Sequence, residues 1–223
     1  MKMKSGFVWI IALGAIFLMG IPVAYFLSIP EEKLEVFQPA YINPKLVDES
    51  LQGKEQQHRI QKFELTNQDG ATITNRDFEG KIYVADFFFT TCQGICPKMT
   101  SQMSRLYELY EDDPAIQLLS HSVTPEIDSV AVLAEYAGRY DAKTPKWHFV
   151  TGSKKHIYEL ARKSYFAATT EGDGGPSDFI HTENFVLVDK ERRIRGFYDG
   201  TSKTDVDRLI KEIEILKKEY GQG

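Results

Sequence analysis

Cys92 and Cys96 are the only cysteines in the 223-residue chain, and they stand between two segments of different periodicity. Ahead of them, Ile82 to Phe89 is apolar apart from Asp86 and has the length of a buried strand; behind them, Met99 to Tyr110 reads as a helix. A strand that turns through Cys-Gln-Gly-Ile-Cys-Pro into a helix holds both sulfurs at one end of a sheet. Pro97 pushes its neighbour out of the α region and is itself tolerated in a first helical turn, so Cys96 is expected as an N-cap. There the helix dipole and free N–H groups would lower its thiol pKa. Gly94 is expected to supply the tight turn between the thiols. Such a pair can close a disulfide or grip a soft metal ion.

The compartment decides what the thiols meet. From Phe7 to Ile29 no residue is charged, and 23 residues of helix span about 34 Å, enough for a hydrocarbon core of roughly 30 Å. Residues 7–29 are therefore expected to form a transmembrane anchor. Lys2 and Lys4 precede the run while Glu31 and Glu32 follow it, which places residues 1–6 in the cytoplasm and the rest on the extracytoplasmic side of the membrane. Thiols there meet oxidants rather than a reducing pool. As a structural staple, however, a disulfide closing so small a loop would contribute little. A formal net charge of −5 with scattered Lys and Arg leaves no basic footprint for nucleic acid.

Residues 30–57 carry Pro30, Pro39 and Pro44 among polar residues and read as a linker; 58–223 is the length of one domain. Within it, Asp69-Gly70 predicts a hairpin between Phe63–Leu65 and Ala71–Thr74. Strands are expected at Lys81–Thr90, Ile116–Val123, Trp147–Thr151, Phe185–Asp189 and Ile194–Tyr198. Helices are expected at Met99–Glu111, Ile127–Tyr140 (buried face Val130, Leu133, Ala134, Ala137), Lys154–Ser164 and Thr204–Tyr220 (Val206, Leu209, Ile210, Ile213, Leu216). Alternating strands and helices ending in a hairpin plus helix give an α/β fold with a central mixed sheet flanked by helices.

Two thiolates leave Cu(I) under-coordinated, and imidazole suits copper. Of five histidines, His58, His121, His148 and His156 fall where packing or surface roles suffice. His181 ends a glycine-rich stretch (Glu171 to Asp178) and leads into the strand Phe185–Val188, which in a thioredoxin-like sheet neighbours the strand feeding the cysteines. The glycines would also let an imidazole move.

These residues resemble the Sco/SenC family of copper chaperones for cytochrome oxidase assembly. The resemblance covers the anchor, Phe-Phe-Thr-Thr-Cys92-x-x-x-Cys96-Pro, Ser122-Val123-Thr124-Pro125-Glu126-x-Asp128, Trp147…Thr151-Gly152, and His181-Thr182 leading to Val186-Leu187-Val188-Asp189. It implies a thioredoxin-like fold, copper held by Cys92, Cys96 and His181, and as partner the oxidase subunit bearing the binuclear copper centre. Other copper chaperones or a thiol reductant would be further partners.

A thiol:disulfide oxidoreductase is the alternative. Thioredoxins, though similar, carry Cys-x-x-Cys and a cis-proline where this chain has Glu183-Asn184. Asp86, six residues before Cys92, matches their internal proton acceptor; a desolvated carboxyl there would have a raised pKa and could shuttle protons to a thiol. A structural, hydrogen-bonded Asp is the other reading. A peroxiredoxin-like peroxidase fits less well, since Phe87-Phe88-Phe89-Thr90-Thr91 lacks that family's proline before the reactive cysteine.

Overall fold

The computed structural model describes residues 20–21, 32–42, 58–168, 172, 174–175 and 177–221. The expected anchor at 7–29 lies outside the described residues except Gly20 and Ile21. Among the described residues no helix is long and apolar enough to cross a membrane. The chain divides into two units, Met1–Lys33 and Leu34–Gly223; the sheet, its helices and both cysteines belong to the second.

Seven strands form one mixed sheet in the order β2-β1-β5-β4-β3-β6-β7: β1 Glu64–Asn67, β2 Thr72–Thr74, β3 Ile82–Phe88, β4 Ile116–Ser122, β5 Trp147–Thr151, β6 Asn184–Val188 and β7 Ile194–Asp199. The three central strands run parallel and are buried along their whole length. That burial explains their near-continuous apolar sequence. Antiparallel hairpins flank them, β1–β2 beyond β5 and β6–β7 beyond β3. The first closes as expected at Asp69-Gly70, where Gly70 takes a left-handed φ of +76° that a side chain would resist.

Side chains alternate across the sheet. Tyr83, Ala85 and Phe87 of β3 join one core cluster; Ile82, Val84 and Phe88 join the other. Asp86 therefore faces the same side as Val84 and Phe88. That side is covered by α1 (Cys96–Tyr110), α2 (Val130–Gly138) and α4 (Lys203–Glu219). The opposite side is covered by α3 (Lys154–Glu159), which continues through a π turn at Leu160–Ser164. In α4 the stripe Val206, Leu209, Ile213 and Leu216 is buried as its spacing predicts. Helix α2 starts at Val130 rather than Ile127, because the amides of Ile127 and Asp128 turn back onto the Thr124 carbonyl and Ser129 provides the cap. Its buried face is Leu133, Tyr136 and Ala137, and Ala134 is exposed.

Part of the expected linker lies on this unit. The Phe37 amide donates to the Ile194 carbonyl (2.9 Å), the Phe37 ring meets Phe197 edge-on at 5.3 Å, and Pro39 and Ile42 are buried. Arg195 secures the segment. Its guanidinium donates to the carbonyls of Leu34 (2.7 Å) and Glu35 (3.0 Å) while pairing with Asp189 and Glu219.

Candidate dithiol and metal centre

The chain leaves the sheet after Phe88, and the Cys92 amide folds back to the Phe89 carbonyl (3.3 Å). Both cysteines thus stand at the carboxyl ends of the parallel strands, where open α/β sheets bind their ligands. Cys96 is the first helical residue and Ile95 the cap, one residue earlier than expected, since the Met99 amide already bonds to the Ile95 carbonyl (3.0 Å). Gly94 has no left-handed φ, and a Cβ there would meet nothing within 4 Å. The turn does not require glycine.

Both cysteines are free thiols, close enough for each to shift the other's acidity. They differ sharply in acidity. Burial pushes the half-exposed Cys92 thiol up, but the Cys96 thiol and the backbone N–H groups of Cys96, Gly94 and Ile95 outweigh it and hold the pKa below the usual thiol value. Cys96 is 3 % exposed. Burial pushes its thiol up to about 12, with the charges of Cys92 and Asp86 adding to the rise. The helix N-terminus does favour a thiolate, but on Cys92; Cys96, expected as the acidic thiol, directs its sulfur into the core between sheet and helices.

Asp86 is buried behind them, on the face of β3 that packs against α1. It stands opposite Ser120 of β4 in the sheet register, and the Ser120 hydroxyl accepts from the Trp147 indole (2.9 Å). Asp86 Oδ1 has no partner. Desolvation raises its pKa to about 7, against the opposing pull of Ser120. The expected raised carboxyl is present, near enough for its charge to be felt at Cys96.

His181 is exposed, between buried Ile180 and Thr182 on the segment entering β6, and β6 pairs with β3 as expected. Among the described residues no three His, Cys, Asp or Glu side chains are gathered closely enough to hold a metal ion. The structure thus joins Cys92 to Cys96 and leaves His181 outside a ready-made shell. The histidine's segment is nevertheless tied to the cysteine turn, because Phe179 packs edge-on against Phe89 (centroids 5.2 Å). It is also less free than its glycines suggest. Arg162 grips Asp178 with two bonds of 2.6 Å, and the Gly174 amide donates to the same carboxylate. The other histidines serve packing: His121 and His148 are buried, His58 bonds to the Ser164 carbonyl, and His156 is half-buried on α3.

Sequence reasoning missed three residues here. Phe179 carried no signal, since a lone aromatic in a polar loop reads as surface. Tyr158 joins two arms of the site, its hydroxyl lying 3.0 Å from the Val123 carbonyl and 3.3 Å from that of Asp178. Asp128 lies within a recognised motif, yet its role as acceptor for Thr90, Ser122 and Thr124 emerges only in three dimensions.

A reduced thiol pair with one more acidic and one buried sulfur, at a strand-to-helix turn, has the chemistry to bind a soft metal ion or to exchange disulfides. The family model described as SCO1/SenC matches residues 51–218, spanning every strand and nearly all of the last helix. The chain belongs to the SCO1/SenC family. Its similarity to the SCO1 protein homolog of Bacillus subtilis is 33% identity over 159 residues, covering 70% of this chain and 82% of that protein. Among solved structures, BsSco, a Sco family member of the cytochrome c oxidase assembly proteins with an identified disulfide switch, superposes with a TM-score of 0.61 at 31% identity, covering 73% of this chain and 96% of that one. Copper-bound ScoI of Arabidopsis thaliana superposes with a TM-score of 0.55 at 28% identity, over 71% of this chain and 98% of that one. These SCO1/SenC relatives share the mixed α/β fold described above.

Proposed function

We propose that this chain is a membrane-anchored copper chaperone, which binds one copper ion through Cys92, Cys96 and His181 and passes it to the binuclear copper site of cytochrome c oxidase. The observation that carries the reading is the placement of the only two cysteines, both free, on one strand-to-helix turn beside which Phe179 holds the histidine's segment. Copper fits the donor set, since thiolate is a soft ligand and imidazole completes a third position. Related proteins support the metal and the destination: ScoI of Arabidopsis thaliana holds copper, and BsSco is one of the cytochrome c oxidase assembly proteins. Cys92, half-exposed and acidic, is the first donor; Cys96 gives up its proton as the metal arrives. His181, exposed on its segment, closes the shell and is the ligand most easily surrendered when a partner's thiols enter by exchange.

The anchor at residues 7–29 sets the place of action, with residues 1–6 cytoplasmic and the domain extracytoplasmic. A protease-protection assay on intact cells tests this, the domain being cut only from outside.

A specific observation favours a second role at the same site. Cys92, the more acidic thiol, beside a buried Cys96 whose proton is held more tightly is the arrangement for attacking a partner's disulfide. Cys92 forms the mixed disulfide and releases one partner thiolate; Cys96 then loses its proton, displaces the second partner sulfur and leaves a Cys92–Cys96 disulfide. Asp86 is the nearby group able to accept that proton. The two roles separate experimentally. His181→Ala should end copper transfer to an apo oxidase copper domain yet leave disulfide reduction unchanged; retained transfer with lost thiol exchange would favour the oxidoreductase.

A further inference from the structure

Where β3 ends, the pairing of its backbone with β4 ends too. The last paired residues are Phe88 and Ser122, with one further bond from the Val123 amide to the Phe88 carbonyl (2.8 Å). Two residues later, at Thr90, no strand is left to hold the chain, and a side chain takes over. Asp128, 0% exposed, accepts the Thr90 hydroxyl on Oδ1 (2.5 Å) and the Thr90 amide on Oδ2 (3.3 Å). The same Oδ2 accepts the hydroxyls of Ser122 (2.5 Å) and Thr124 (3.0 Å).

Burying a carboxylate is costly unless its lone pairs are filled, and here three hydroxyls and one amide fill them. Two of those four donors belong to a single residue, so Asp128 grips Thr90 at backbone and side chain together. Thr90 is two residues from Cys92. Held there, the loop starts from a fixed point at one end and enters helix α1 at the other.

We propose that Asp128 is a positioning residue for the dithiol, its grip on Thr90 fixing how Cys92 approaches Cys96 and thereby both the affinity of the pair for Cu(I) and its disulfide potential. This rests on the reading that these cysteines carry the chemistry. Groups that orient metal ligands from behind typically change affinity by about tenfold to a hundredfold when removed.

The test uses the full-length chain in detergent. Thr90→Val removes the hydroxyl grip, Thr90→Ser preserves it, Ser122→Ala removes a donor to Asp128 without touching Thr90, and Asp128→Asn alters the acceptor. Two quantities are measured: the midpoint potential of the metal-free thiol pair in dithiothreitol redox buffers, and Cu(I) affinity by chelator competition. We expect Thr90→Val and Asp128→Asn to shift the potential and weaken Cu(I) about tenfold. Thr90→Ser should match wild type, and Ser122→Ala should lower the thermal midpoint while keeping both values. The proposal is overturned if Thr90→Val behaves as wild type, or if Ser122→Ala moves both values as far as Thr90→Val does. Should wild type bind no Cu(I) while the potential still tracks Thr90, the copper reading fails and the positioning role stands.

Discussion

Phe179 meets Phe89 edge-to-face, with ring centroids 5.2 Å apart and planes at 78°. Phe89 lies three residues before Cys92 and Phe179 two before His181, so this contact couples the thiol turn to the segment carrying the imidazole. Phe179 is 44% exposed, and an aromatic pair adds about 0.5–1.5 kcal/mol beyond burial. Phe179→Ala should therefore leave the domain folded, with a loss near 1 kcal/mol, but weaken copper binding as His181→Ala does. Chelator competition beside a thermal melt separates the two effects; wild-type affinity in Phe179→Ala would show that the contact does not serve the site.

The two thiols should react in order. Cys92 is the acidic one and Cys96 is pushed up to about 12, and alkylation requires thiolate. Iodoacetamide applied to the reduced chain at neutral pH should label Cys92 alone, read by peptide mass spectrometry. Preferential labelling of Cys96 would reverse the assignment.

Two buried groups give opposite pH dependences. His121 is fully buried, stacked on Phe87, and desolvation lowers its pKa to about 4. A His depressed on folding contributes stability above its unfolded value near 6.5 and loses it as pH falls towards 4, a change on the order of 3 kcal/mol. Asp86 is the reverse. Raised by desolvation to about 7 from 3.8, it contributes stability below 3.8 and loses it as pH rises through 7, on the order of 4 kcal/mol. In wild type the two slopes oppose each other. Relative to wild type, Asp86→Asn should lose stability between pH 7 and 4, and His121→Leu should gain it; denaturant titrations at both pH values check the signs.

A chain starting at Leu34 should be more stable than one starting at His58. The shorter chain loses buried Pro39 and Ile42 and the Phe37–Phe197 contact. It also leaves Arg195, 3 % exposed, without the two carbonyls it donates to. Burying one large apolar side chain is worth roughly 2 kcal/mol, and unpaired donors add to the cost, so the difference should be about 3 kcal/mol. Equal urea midpoints would mean that residues 34–42 are a passive tether.

Legibility in the sequence divides along physical lines. Elements with strong period or continuous burial, such as β3, β4, α1 and the stripe of α4, could be read because each residue's environment is set by its own neighbours. Cys92 and Cys96 were legible for the same reason, being close in sequence at a Pro-marked turn. Their acidities were not. Which sulfur enters the core is decided by how α1 packs, and that inverted the expectation for Cys96. The docking of residues 34–42 was hidden because it depends on Arg195, some 160 residues away. Asp128 and Phe179 were hidden likewise, since hydrogen bonds and ring contacts between distant loops leave no periodic trace. Asp86 stood out because a carboxylate in an apolar strand has few places to go.

Copper stoichiometry and affinity of the reduced full-length chain test the account most directly, measured by Cu(I) chelator competition on wild type, Cys92→Ser, Cys96→Ser and His181→Ala. The account predicts one Cu(I) per chain in wild type, loss of tight binding in either cysteine variant, and weakened binding in His181→Ala. Wild-type affinity in a cysteine variant, or no copper bound by the reduced wild-type chain, would contradict it.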